Sequence, residues 1–156
     1  MKEEDFYIDF DGVIMDTQGE TDRLFALYGS DTKNPAWNEY LRCRDWAKYL
    51  LTCKEIDKSI DVLKELYKLK KRVYILSSVF STNEARDKIE FLRDNGVYQD
   101  FIAVPERFNK SKVVIPNKSR LLVDDSERNI VDWRNSNGEA IWFPKEEKDL
   151  TFLLRR

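Results

Sequence analysis

Three pairs of polar residues stand at the ends of short apolar runs: Asp9 and Asp11 in FYIDFDG, Ser77 and Ser78 after VYIL, and Asp124 and Asp125 after LLV. Carboxylates brought to one point repel one another unless a cation lies among them, and an all-oxygen donor set suits Mg²⁺. Serine hydroxyls and neighbouring backbone N–H groups can hold an anion beside such a metal. A metal, an anion pocket and a free carboxylate are together the equipment of phosphoryl transfer. Each piece alone has a plainer reading: DxD as a polar strand end, Ser-Ser as a turn, Asp-Asp before Ser126 as a helix cap. The weight comes from their order and their shared place at strand ends.

The rest of the composition narrows the chemistry. The chain has no histidine, so neither Ser-His-Asp nor Cys-His machinery can operate, and any catalysis runs on carboxylates, lysine, hydroxyls or a metal. Two cysteines, Cys43 and Cys53, are too few for a disulfide framework or a zinc cluster and read as reduced thiols of a cytoplasmic protein. The 27 basic and 29 acidic residues nearly cancel, leaving no global field to attract nucleic acid or an anionic membrane. The basic run KLKKR at Lys68 to Arg72 reads as the solvated end of a helix. The first residues are too acidic, and their apolar run too short, for a signal peptide; no stretch approaches the ~20 apolar residues of a membrane span.

These side chains need a scaffold that gathers strand ends. Short runs rich in Val, Ile, Leu and aromatics occur at Phe6 to Phe10, Val73 to Leu76, Phe101 to Val104, Leu121 to Val123 and Ala140 to Phe143. Helical patterns alternate with them. Ile56, Ile60, Leu63 and Tyr67 share one face, as do Ala85, Ile89 and Leu92 before a stop at Gly96; Ser126 can cap a helix carrying Ile130 and Trp133. This alternation predicts a three-layer α/β domain with a Rossmann-like parallel sheet, whose ligands bind beyond the carboxyl ends of the strands. The stretch from about Thr17 to Thr52 breaks the pattern, offering helices but no strand. One amphipathic helix from near Pro35, carrying Trp37, Tyr40, Leu41, Trp46 and Tyr49, is expected there. The chain thus reads as one domain, 1–156, with residues 18–55 as a small helical insert over the sheet. The tail to Arg156 reads as a short closing helix.

DFDGVIMDT, from Asp9 to Thr17, resembles the first motif of the haloacid dehalogenase (HAD) superfamily. VYIL-Ser77 is similar to its second motif and LLV-Asp124-Asp125 to its fourth. This resemblance implies a HAD-like fold with a helical cap, and a Mg²⁺-dependent phosphomonoester hydrolase. Asp9 would be the nucleophile that forms an aspartyl-phosphate; a carboxylate needs no base to activate it. Asp11 would protonate the leaving oxygen and then activate water. Mg²⁺ would be held by Asp9, the backbone carbonyl of Asp11, Asp124 and, directly or through water, Asp125. Ser77, helped by Ser78, would bind the phosphoryl oxygens. The third motif is a lysine, for which Lys110 and Lys112 compete, with Lys110 favoured over Lys112 and Lys118 the more remote choice. Asp16 reads as a helix-capping acid.

The run LLVDDSERNIVDW resembles the 5'-deoxyribonucleotidase branch and its phage relatives, which implies a nucleoside monophosphate substrate. Aromatics of the insert could stack on a base, although at helical spacing they read first as packing residues. DGVIMDT is also similar to sugar phosphomutases, so a phosphatase or a mutase acting on a sugar phosphate is an alternative. A non-catalytic binding module on the same fold is the alternative outside catalysis.

Overall fold

Short buried strands follow wherever a run of β-branched and aromatic residues can be covered on both faces. The computed structural model, which describes residues 3–28 and 35–156, contains five of them: β1 (Asp5–Ile8), β4 (Arg72–Val79), β5 (Asp100–Pro105), β6 (Arg120–Asp124) and β7 (Glu139–Trp142). They form one parallel sheet in the order β5-β4-β1-β6-β7. All five match runs expected from the sequence. A two-stranded antiparallel ribbon, β2 (Met15–Asp16) with β3 (Lys54–Glu55), was not expected; two residues per strand carry no readable alternation.

Successive side chains of a strand point to opposite faces, so the sheet feeds two cores. Phe6 and Ile8 of β1, with Val73, Ile75, Leu121 and Val123, pack on one face. Helices α4 (Ser59–Lys68) and α5 (Thr82–Asp94) and a closing 3-10 helix (Leu150–Arg155) cover it. Tyr7, Leu76 and Leu122 point the other way, against Ile130 and Trp133 of α7 (Glu127–Asn135). This is the three-layer α/β arrangement read from the sequence.

Local signals explain several helix ends. Ser126 caps α7, its hydroxyl accepting from the Asn129 N–H. Gly96, at φ 77°, follows the end of α5. Asp16 accepts from the Gly19 N–H at 2.9 Å and so caps α1 (Thr17–Tyr28), the capping role read for it.

Three expectations are corrected. The single amphipathic helix from Pro35 is two helices, α2 (Pro35–Cys43) and α3 (Trp46–Thr52), because Asp45 caps α3 by accepting from the Lys48 N–H. The buried stripe of α4 is Val62, Leu63 and Leu66, with Tyr67 half exposed. The buried stripe of α5 is Glu84, Asp87, Lys88 and Leu92; Ala85 and Ile89 lie at its margin.

Helices α1 to α3 lie between the two ribbon strands. Trp46, Tyr49 and Leu50 of α3 join the first core, where the Trp46 and Tyr49 rings meet edge to face at 5.2 Å. Tyr49 also donates to the Thr17 carbonyl at 2.6 Å, tying α3 to α1. The Trp37 side chain lies outside the described residues. Cys43 and Cys53 are free thiols, and burial with the Glu20 charge pushes Cys53 up to about 12, too high for a neutral-pH nucleophile. Among the described residues, no helix is long and apolar enough to cross a membrane.

Candidate active site

The chain order of the sheet reverses at β1, from which connections run outward to β4 and β5 and then back to β6 and β7. Such a switch point opens a crevice at the carboxyl ends of the strands. Ile8 pairs with Val123, so Asp9 and Asp124 leave neighbouring strands at the same level, and the Asp9 N–H donates to the Val123 carbonyl at 2.9 Å. Both aspartates are buried.

Two donors converge on one oxygen of Asp9. Its Oδ1 accepts from the Phe10 N–H and from the Lys110 ammonium, each at 2.9 Å. The same ammonium donates to Asp124 Oδ2 at 2.6 Å. Asp124 also accepts from the Ser126 N–H at 2.9 Å and from Asn129 Nδ2 at 3.1 Å. Lys110 opens the short helix α6 (Lys110–Val113) and is itself buried. Burial opposes its charge, but Asp9 and Asp124 outweigh that and raise its pKa above the usual lysine value.

The carboxylates are crowded. Oxygens of Asp9, Asp124 and Asp125 lie within 4.8 Å of one another. Burial first, and then the charge of Asp124, push Asp9 well above the ordinary carboxylate range against the pull of Lys110. The same two causes bring Asp125 up to about 6. Hard oxygen donors under mutual repulsion suit Mg²⁺, which would relieve the crowding at Asp9, Asp124 and Asp125. Gly12 makes the approach possible: at φ 80° it takes a backbone conformation L side chains avoid, and a Cβ there would run into the Asp125 carboxylate.

Asp11 stands beside this cluster with both oxygens engaged. The Thr17 hydroxyl donates to Oδ1 at 2.8 Å, and the Lys88 ammonium donates to Oδ2 at 2.8 Å. Lys88 is fully buried and also donates to Glu84 at 2.7 Å and to Ser77 Oγ at 3.2 Å. Burial works against its charge, yet Asp11 and Glu84 hold its pKa above the ordinary lysine value.

A cavity of about 200 Å³ opens over the group, lined by Asp9, Asp11, Ser78, Lys110, Asp124 and Asp125 among others. Of the two serines singled out in the sequence, Ser78 lines this cavity, while Ser77 is fully buried with its hydroxyl on Lys88. Of the two competing lysines, Lys110 enters the cluster; Lys112 is exposed and outside the cavity lining. Trp46 and Tyr49 are buried packing residues and do not line the cavity. Sequence reading missed Asn129, Thr17, Glu84 and Lys88. Glu84 and Lys88 sit eight and four positions before the core residue Leu92, a spacing that places both on its apolar stripe.

No family model matches the chain, and no curated protein matches it by sequence. Solved structures do match its fold. The magnesium-bound HAD hydrolase YfnB from Bacillus subtilis is 15% identical with a TM-score of 0.58, over 99% of this chain and 98% of that one. CbbY from Rhodobacter sphaeroides, solved with phosphate, is 11% identical with a TM-score of 0.59, over 94% and 90%. A HAD-superfamily hydrolase from Ehrlichia chaffeensis is 13% identical with a TM-score of 0.55, over 90% and 87%. At such identities the likeness establishes a HAD-like fold.

Proposed function

We propose that this protein is a Mg²⁺-dependent phosphomonoester hydrolase working through an aspartyl-phosphate on Asp9. The observation that carries the reading is the convergence of Asp9, Lys110, Asp124 and Asp125 on one small cavity at the switch point of the sheet. In this reading Asp9 attacks phosphorus, the P–O bond to the leaving group breaks, and Asp11 gives that oxygen a proton. Water then attacks the phosphorus of the aspartyl-phosphate while Asp11 takes a proton back, releasing phosphate and restoring Asp9. Lys110 offsets the negative charge that builds up on Asp9 and the phosphoryl group, and Ser78 lines the space the phosphoryl oxygens would take. Asp9, Asp124 and Asp125 would hold Mg²⁺, which would neutralise charge on the phosphoryl oxygens. Helices α1 to α3 serve as a cap in this reading.

For the substrate we favour nucleoside monophosphates, on the resemblance of the Leu121–Trp133 region to the deoxyribonucleotidase branch. The burial of Trp46 and Tyr49 removes them as a base platform. Phe80 and Phe108, both about half exposed, border a second cavity of about 500 Å³, and each is close in sequence to a residue of the first cavity, Ser78 and Lys110. In this reading they are the aromatics that would meet a base.

The test is phosphate release with Mg²⁺ from ribo- and deoxyribonucleoside monophosphates and sugar phosphates, with Asp9→Asn as control. Release that falls on the order of 10⁴-fold or more in the control supports the hydrolase. Equal rates on sugar phosphates and nucleotides would sink the nucleotide assignment. Isomer formation without free phosphate would indicate a mutase.

A further inference from the structure

Lys88 is a lysine that no part of the proposed mechanism uses, yet it is among the most enclosed groups in the protein. Its side chain has no exposed surface. The ammonium touches three oxygens: Asp11 Oδ2 at 2.8 Å, Glu84 at 2.7 Å and Ser77 at 3.2 Å. Two aromatic rings complete the enclosure, Trp46 of α3 with its centroid at 4.5 Å and Phe10 at 5.1 Å. Burying an ammonium and a carboxylate together is costly, and their attraction repays the cost only in good geometry; replacing such a pair by apolar groups is often neutral or stabilising. Glu84 also accepts from the Phe80 N–H at 3.1 Å at the start of α5, but stability alone does not call for Lys88 on the inner stripe of that helix.

The geometry does supply a directional constraint. Glu84 lies one helical turn before Lys88 and fixes the ammonium on the rigid helix. The ammonium in turn reaches the Asp11 oxygen that Thr17 does not occupy. Phe10 precedes Asp11 in the chain, so one aromatic wall belongs to the site loop itself; the other, Trp46, belongs to the segment between the ribbon strands.

We infer that Lys88, anchored by Glu84 and enclosed by Phe10 and Trp46, is the positioning residue that aims the Asp11 carboxyl group at the leaving oxygen of the substrate. The inference rests on the hydrolase reading above, in which Asp11 is the acid and base. Lys88 does not touch substrate in this role; it acts through Asp11. A carboxyl group freed from one of its two restraints samples other rotamers, and a misplacement of about 1 Å costs on the order of 100-fold in rate.

The test separates positioning of an acid from support of the fold. An alkyl monophosphate needs a proton on its leaving oxygen, whereas p-nitrophenyl phosphate releases p-nitrophenolate, a stable anion that leaves without one. The quantity read is kcat/KM, which reports the step in which the leaving group departs. Lys88→Met alone strands Glu84 in the core, so the main variant is Lys88→Met with Glu84→Met, which keeps chain length and removes both charges. We expect its kcat/KM on the alkyl ester to fall about 100-fold while that on p-nitrophenyl phosphate falls no more than about 5-fold, the same asymmetry as Asp11→Asn. Glu84→Gln, which keeps Lys88 and loosens its anchor, carries the same test if the double variant does not fold, with an asymmetry of about 10-fold. Equal losses on both esters, or none, would overturn the assignment. A wild-type protein that releases phosphate from neither ester, and so matches Asp9→Asn, would instead overturn the hydrolase reading and this inference with it.

Discussion

The Lys110 ammonium lies 2.9 Å from Asp9 Oδ1, although 101 positions separate the two residues in the chain. It is also the donor to Asp124 at 2.6 Å, so one buried cation spans two buried anions. Removing it strands both carboxylates, a change that costs about 3–5 kcal/mol when nothing replaces the lost partner. Mg²⁺ can replace part of it. Lys110→Met is therefore expected to lower Tm strongly in EDTA and less so in Mg²⁺, and to lose most of the turnover the parent shows in Mg²⁺. Lys112→Ala, an exposed change, should stay within about 0.5 kcal/mol of the parent. Melting curves of both variants with and without Mg²⁺ check this; identical losses in the two buffers would dismiss the shared-cation picture.

The pH dependence of the metal-free protein follows from the same crowding. Asp125 is raised to about 6 from an ordinary value of 3.8, and Asp9 is raised as well. A carboxyl group with a raised pKa holds its proton more tightly folded than unfolded, so its charged form costs stability above the folded pKa. That cost is relieved as pH falls toward the unfolded value. Glu20, Glu146 and Asp149 are lowered by their partners, and their stabilising effect is lost only below their unfolded values of 4.5, 4.5 and 3.8. Between pH 7.5 and 5 the first effect acts alone among these groups. The Tm in EDTA should rise by roughly 2–4 °C over that interval, as ~1 kcal/mol does in a domain of this size, after allowance for solvent screening at Asp125. Saturating Mg²⁺ should abolish or invert the trend, because protons and metal compete for the same oxygens. A Tm in EDTA that falls steadily from pH 7.5 to 5 would contradict the raised values.

The strands and their terminal aspartates were legible because both faces of the sheet are covered. A doubly buried strand must be an apolar run, and the first polar residue after it marks the carboxyl end. That ground put Asp9 and Asp124 at the same edge of the sheet; that they are neighbours follows only from the pairing of β1 with β6. The break between α2 and α3 was misread: the five-residue step from Leu41 to Trp46 departs from the three-to-four spacing of one helix face, and Asp45 within it caps the second helix. Lys88 was hidden for a different reason. A Glu and a Lys four apart on a helix usually form a solvated surface pair, and the alternation of charges in NEARDK suggests an outer face. Only the path of α5 over the sheet and under α3 turns that pair inward.

Asp124 offers a cleaner view of metal binding than Asp9, because the proposed mechanism gives it no part in bonding to phosphorus. Its carboxylate lies with those of Asp9 and Asp125, and it accepts from three different donors, Lys110, the Ser126 N–H and Asn129. Asp124→Asn keeps the shape and removes the charge. Mg²⁺ affinity measured by titration calorimetry should fall at least about 10-fold, the lower bound for loss of a partner in a metal site. An unchanged affinity would remove Asp124 from the ligand set.

The last prediction contrasts two kinds of aromatic residue. Trp46 is buried against Tyr49, Arg44 and Lys88, and its ring nitrogen has no hydrogen-bond partner. Its contribution is therefore packing, and Trp46→Ala should cost about 3–5 kcal/mol, whereas Trp46→Phe keeps a ring and no hydrogen bond is lost. Neither should alter the relative kcat/KM among nucleoside monophosphates. Phe80 and Phe108 are half exposed, so truncation to Ala should leave stability within about 0.5 kcal/mol. If they meet the base, each loses stacking worth about 1–3 kcal/mol, seen as a rise in KM for nucleotides and none for a sugar phosphate. A change in base preference at Trp46, with none at Phe80 or Phe108, would reverse the assignment of packing and recognition roles.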